Sequence, residues 1–265
     1  MTYCLTGRTQ FGHLICTDQE GARRLYIGPQ CQGGVYLEPP ASVVSAELDG
    51  PGPIGESPYF VGWLIAGLHN PDGSYLMTGL GSGGGAVQLL YSFPNTTVTI
   101  LEIDPVVIRC ACEAYPLLNH YQDLGRLQII QGDASELLDG PLAGARWDVG
   151  LHDAFDGSYD VLEGPVERVV RQTRYRYVNC IDRLGGPSMA AQVSLLDLTA
   201  LYKVEHLWGL RFDEYSNWIL TDQPQDRKLL DGWRPFESVD YPSAQAIRTI
   251  WASTIRNGIQ AVDLG

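Results

Sequence analysis

Positive charge is scarce in this sequence. Its 265 residues carry 18 Lys and Arg against 31 Asp and Glu, a formal net charge of −13. Phosphate neutralisation and polybasic attraction are therefore unavailable on average, which argues against nucleic-acid and anionic-membrane partners and leaves a cationic small molecule as a welcome ligand. Long apolar runs are also missing, and the first residues, Met1-Thr-Tyr-Cys-Leu-Thr-Gly-Arg, lack a charged segment followed by an apolar one. A cytoplasmic location without a membrane span is the expectation. The six cysteines (Cys4, Cys16, Cys31, Cys110, Cys112, Cys180) form no C-x-x-C and have no histidine at zinc spacing. They read as free thiols, and no metal site is expected. Repeats and low-complexity tracts are absent too.

What is present is a core-forming chain, 45% hydrophobic, organised around Leu76-Met-Thr-Gly-Leu-Gly-Ser-Gly-Gly-Gly-Ala-Val-Gln-Leu-Leu90 and Val98-Thr-Ile-Leu-Glu-Ile-Asp104. The pattern predicts strand, glycine turn, helix, strand and terminal acid. Glycines permit positive φ and close backbone approach, a new helix offers free N–H groups, and an acid about 20 residues on can take ribose hydroxyls. A nucleoside-containing ligand is the first expectation. A glycine turn without a ligand is the plainer alternative, and Glu102 at the next strand end weighs against it.

Upstream, residues 1 to about 50 alternate apolar and polar positions between glycines, which predicts a small β-hairpin or meander. The turn-rich Asp49-Gly-Pro-Gly-Pro-Ile-Gly55 suggests a boundary, with a β-rich N-terminal subdomain over 1–55 and a catalytic domain over 56–265. Ser57-Pro58 predicts a helix start, with the helix running from Pro58 to about Leu68. Further helices are expected from Pro105 to about Tyr115, from Val166 to about Leu184 with an arginine-bearing face, from Leu198 to Leu207 and around Ala244 to Ile255. Strands are expected at 98–102, 126–130, 147–152, 188–193 and 217–221. Strands alternating with helices imply parallel βαβ units.

Three acids then fall at strand ends: Glu102, Asp133 and Asp153. In an open α/β sheet, ligands lie beyond the carboxyl ends of the strands. The set resembles the spermidine synthase family, a branch of the class I S-adenosylmethionine-dependent transferases. Gly79-Leu-Gly-Ser-Gly-Gly84 resembles its G-G-G-D-G-G loop, Glu102-Ile-Asp104 its E-I-D, Gly132-Asp133-Ala134 its G-D-[GA], and Asp153-Ala-Phe-Asp156 its D-x-x-D gate. Tyr59 stands where the family has a tyrosine before the first domain helix, His69 where it has a histidine, and Gln30 or Gln32, with Gln32 preferred, near its glutamine.

The resemblance implies an α/β, Rossmann-like methyltransferase fold with a small N-terminal β-rich domain. It also implies an S-adenosylmethionine-dependent transferase acting on a small-molecule amine, without a metal, in a possible homodimer. By the same resemblance Gly79, Gly81, Ser82 and Gly83 hold the methionine-derived part, Glu102 the ribose, and Asp133 with Ala134 the adenine. Asp153 and Tyr59 would hold and deprotonate the amine, while Asp156, His69 and Gln32 shape the acceptor side.

Two departures matter. Ser82 replaces the loop acid that holds the amine of decarboxylated S-adenosylmethionine, so intact S-adenosylmethionine is the expected donor, its carboxylate received by the hydroxyl and the helix-start amides. The loop after the gate also differs, which opens the choice of acceptor. Methyl transfer, aminopropyl transfer from the decarboxylated donor, aminocarboxypropyl transfer and ring closure of the donor all remain compatible. So do a nicotinamide-dependent oxidoreductase and a non-catalytic nucleoside-binding protein.

Overall fold

The computed structural model describes residues 3–37, 51–154, 163–181, 207–212, 217–237 and 242–262. Its first element is an antiparallel meander of β1 (Cys4–Thr9), β2 (Gly12–Gln19), β3 (Ala22–Ile27) and β4 (Gln30–Tyr36), in that order across the sheet. Period-two alternation turns Leu14, Cys16, Leu25 and Val35 inward, all nearly inaccessible to solvent. The chain then returns along β4, where Glu56 N–H donates to the Gly34 carbonyl and Val35 bridges Gly55.

Eight strands form the second sheet. In chain order its elements are α1 (Phe60–His69), β5 (Ser74–Thr78), α2 (Gly84–Ser92), β6 (Thr97–Glu102), α3 (Pro105–Ala114), α4 (Pro116–Asp123), β7 (Leu127–Gln131), α5 (Ala134–Asp139) and β8 (Trp147–His152). There follow α6 (Glu163–Gln172), β9 (Thr173–Ile181), β10 (Leu207–Arg211), β11 (Asn217–Thr221), α7 (Arg227–Gly232), α8 (Pro242–Ser253) and β12 (Ile259–Val262), with a π-helical turn over Thr254–Gly258.

The strand order is β12-β10-β11-β9-β8-β5-β6-β7. The run β9-β8-β5-β6-β7 is parallel and the other pairings are antiparallel. From β5 the chain winds one way to β6 and β7, then returns to β8 on the other side of β5. That reversal opens a crevice at the carboxyl ends of β5 and β8.

Both faces of the parallel sheet are covered. On one, Tyr75, Met77, Val149 and Leu151 join the main core with Trp63 and Leu64 of α1; on the other, Leu76 and Leu101 pack with Leu138 of α5 and Val169 of α6. Leu14 and Val35 of the meander belong to the same main cluster, so the two sheets share one core.

Four expectations are corrected. The helix expected from Val166 to Leu184 ends at Gln172, and Thr173–Ile181 is a strand. Arginines at 168, 171 and 174 mimic helical spacing, but Thr173, Tyr175 and Tyr177 alternate on one face, and β-branched and aromatic residues suit a pleated surface. The first domain helix starts at Phe60, because Ser57 and Pro58 form a turn whose carbonyls accept from Phe60 and Val61. Leu207, expected to close a helix, opens β10, paired to β11 and β12. Beyond Gln223 a single helix was expected, whereas α7 and β12 are present as well. The expected strand over 188–193 and residues 198–206 of the expected helix lie outside the described residues.

Candidate active site

The glycine turn is shaped by what it must approach. Gly79 follows β5 with φ +86°, and a Cβ there would stand 2.6 Å from the Asp153 carbonyl oxygen. Gly81, φ +50°, would bring a Cβ to 2.7 Å from the Gln32 carbonyl of β4. Only glycine lets the turn fit between the end of β8 and the N-terminal sheet.

Most of its amides already have partners within the protein. Leu80 N–H donates to Glu102 Oε2 (2.9 Å), Ser82 N–H to the Gln32 carbonyl (3.2 Å) and Gly83 N–H to the Leu80 carbonyl (2.7 Å). Ser82, 1% exposed, turns its Oγ back to accept from Gly84 N–H at 3.3 Å.

A cavity of about 890 Å³ opens over the crevice. Its floor follows the strand ends: Asn179 from β9, Asp153 after β8, Gly79 after β5, Glu102 on β6, and Gly132 with Asp133 after β7. Its roof comes from the meander, including Arg24, Gln30, Cys31 and Gln32, and from Glu56 and Tyr59.

Asp153 is the centre of one end. Tyr59 donates its phenolic O–H to Asp153 Oδ2 (3.1 Å), and Asn179 donates an amide N–H to Oδ1 (2.7 Å). Burial pushes the Asp153 carboxyl up to about 7, even though both hydrogen bonds favour its charged form. Tyr59 is held well above the ordinary phenol range, first by burial and then by the neighbouring Asp153 charge. Behind them, buried Thr78 Oγ1 and His152 Nδ1 are 2.6 Å apart, and burial drives the His152 imidazole down to about 3, so it is neutral.

At the other end Glu102 accepts from Leu80 N–H through Oε2 and from Asp104 N–H through Oε1 (2.9 Å). Its carboxyl is raised by burial, with the amides opposing. Asp133 Oδ1 caps α5, accepting from Ser135 and Glu136 N–H at 2.8 and 3.1 Å. Asp104 caps α3 through Val106 N–H (2.8 Å).

Of the residues singled out in the sequence, Tyr59, Gly79, Gly81, Glu102, Asp133, Ala134, Asp153, Gln30 and Gln32 line this one cavity. Three others do not. Ser82 and Gly83 are turned into the packing beneath the loop. His69 closes α1, its Nδ1 on the Ile65 carbonyl (2.9 Å) and its Nε2 accepting from Asp226 N–H (3.2 Å). Asp156 lies outside the described residues. Asn179, Arg24 and Glu56 were not found from sequence. Reading β9 as a helix hid Asn179, whose position in the Thr-Arg-Tyr-Arg-Tyr-Val-Asn alternation was the available signal.

Among the described residues no group of His, Cys, Asp and Glu could hold a metal ion, and no helix is long and apolar enough to cross a membrane.

No protein-family model and no curated protein sequence matches the chain. Solved structures do. A probable spermidine synthase from Corynebacterium glutamicum aligns over 98% of this chain and 91% of its own, at 16% identity and a TM-score of 0.64. The fold is that of spermidine synthases. A spermidine synthase solved with the transition-state analogue AdoDATO aligns over 94% of this chain and 84% of its own, at 11% identity and a TM-score of 0.60. The spermidine synthase of Thermotoga maritima aligns over 96% and 84%, at 13% identity and a TM-score of 0.59. The spermidine-synthase fold thus extends over both sheets of this chain, while the low identity leaves the chemistry to be argued from the residues.

Proposed function

We propose that the protein is an S-adenosylmethionine-type alkyl transferase acting on an amine. The carrying observation is the single cavity along five parallel strand ends, with Glu102 near one end and buried Asp153 near the other. Four strand spacings span roughly 19 Å, room for a nucleoside at β6 and β7, a sulfonium over the glycine turn and an amine at Asp153. Volume agrees, since about 890 Å³ lies within the usual range of ligand pockets.

Each residue's task follows from its setting. Glu102 is fixed by two backbone amides and keeps lone pairs for ribose hydroxyls. Asp153 draws a protonated amine in and accepts its proton: a free alkylamine has a pKa of about 10 and must lose a proton before it can attack carbon. The neutral amine then attacks carbon as the carbon–sulfur bond breaks, sulfur keeping the bonding pair as a neutral thioether and the new ammonium releasing its extra proton to solvent. Tyr59 and Asn179 hold both carboxyl oxygens, which fixes the line of approach.

One observation favours the decarboxylated donor over the intact one. A donor carboxylate needs free N–H groups or a cation, but the amides of Ser82, Gly83 and Leu80 are engaged and Ser82 Oγ faces Gly84. Among the described residues Arg24 is the one cation lining the cavity, and it is held by Glu56 and Glu20. Aminopropyl transfer is accordingly the preferred reaction, and methyl transfer the alternative.

The test is to incubate the protein with a panel of diamines and each donor in turn, and to follow the nucleoside product. Methylthioadenosine with a lengthened amine supports aminopropyl transfer, and S-adenosylhomocysteine supports methylation. Absence of either product with every amine would overturn the proposal.

A further inference from the structure

Four large hydrophobic side chains are exposed among the described residues, and two of them, Phe11 (48%) and Ile103 (40%), line the cavity. Apolar surface left in water beside a cavity is surface that a ligand can cover. The two residues come from different sheets. Phe11 lies in the β1–β2 turn, and Ile103 follows β6 directly after Glu102.

Asp104 joins them. Its Oδ1 caps α3, and its Oδ2 accepts from Gln10 N–H at 2.9 Å. The bonded residues, Gln10 and Asp104, are thus the chain neighbours of Phe11 and Ile103. The turn itself is stiffened by Thr9 Oγ1, which donates to the Gly12 carbonyl (2.9 Å) and accepts from Phe11 N–H (3.1 Å). One strand earlier, Gly7 allows β1 to lie directly on α3, since a Cβ there would meet Val106 Cγ1 at 2.6 Å. The hairpin tip is therefore anchored at the β6 end of the cavity, the end that holds Glu102, Gly132 and Asp133.

We propose that Phe11 is a ligand-binding residue of the N-terminal sheet, which together with Ile103 clasps the purine base of the donor nucleoside. The inference rests on the reading of the cavity as a nucleoside-donor site and adds to it a contributor from outside the parallel sheet. A purine offers the flat face that an aromatic ring stacks on and an aliphatic branch packs against, while Asp133 meets its polar edge and Glu102 the attached ribose. Preformed anchoring through Asp104 lowers the ordering cost of the clasp.

Calorimetric titration with methylthioadenosine of the wild type, Phe11→Ala and Phe11→Trp tests it. Phe11→Ala should bind about tenfold more weakly, the effect expected of one lost stacking partner. Phe11→Trp should bind within about threefold of wild type. Both ligand-free variants should melt with the wild type, because the side chain is half in water. Wild-type affinity in Phe11→Ala, or a loss that Phe11→Trp does not restore, would overturn the clasp and leave the proposed function standing. Failure of the wild type to bind either methylthioadenosine or S-adenosylhomocysteine would overturn both.

Discussion

A carboxyl raised from its ordinary 3.8 to about 7 makes Asp153 a source of pH dependence in stability as well as in rate. Between those values the native state holds a proton that the unfolded chain has released. Stability therefore falls as pH rises through that window, by about 1.4 kcal/mol per unit. Asp153→Asn removes the titrating carboxyl and with it this dependence. The melting temperature of the ligand-free wild type should fall from pH 4 towards pH 7 relative to that of Asp153→Asn, and parallel pH curves for the two would contradict the burial argument. In turnover the sign is reversed in usefulness, since the base must be ionised: kcat/KM should rise through the same region, and Asp153→Asn should lower kcat by about 10²–10⁴. Asn179 provides the finer probe. Its 2.7 Å bond to Oδ1 favours the charged form, so Asn179→Ala should move the acidic limb of the pH–rate profile upward by about one unit. A uniform drop in rate with an unmoved limb would make Asn179 a packing residue only.

At the scale of elements, the glycine turn is a spacer between β5, β8 and β4. Gly79→Ala would place a methyl against the Asp153 backbone and impose positive φ, costing more than about 3 kcal/mol. Gly125, φ +68° with open space around its Cβ position, is the control; Gly125→Ala should cost about 1–2 kcal/mol. Denaturant unfolding of the two variants compares a close approach with backbone strain alone. This turn was legible in the sequence because its physics is local: glycines after an apolar run and before a helix, then an acid at the next strand end. The strand-end acids Glu102, Asp133 and Asp153 were legible for the same reason. β9 was not, because arginines at three-residue spacing imitate a helix face and only pairing with β8 and β11 decides for the strand. The orientation of Ser82 was hidden too. It depends on β4, about 50 residues away in sequence, whose Gln32 carbonyl takes the Ser82 amide.

Over the whole molecule, the excess of 31 acids over 18 basic residues is concentrated in sign where the ligand would sit. Glu102, Asp133 and Asp153 line the cavity, and the one cation there, among the described residues, is Arg24, which Glu56 already pairs. A low-dielectric cleft lined by one sign of charge focuses the field and raises the local concentration of oppositely charged substrate. The field acts over a Debye length of about 10 Å at 0.1 M salt and about 30 Å at 0.01 M. A diamine carries two charges through that field and a monoamine one. Raising ionic strength between those limits should therefore lower kcat/KM for a diamine several-fold and for a monoamine of equal length distinctly less, with kcat itself nearly constant. Initial rates at the two salt concentrations measure this directly. Equal salt sensitivity for both amines would assign recognition to contacts inside the cavity, whereas a dependence that follows substrate charge would make the acidic surface part of how this fold collects its acceptor.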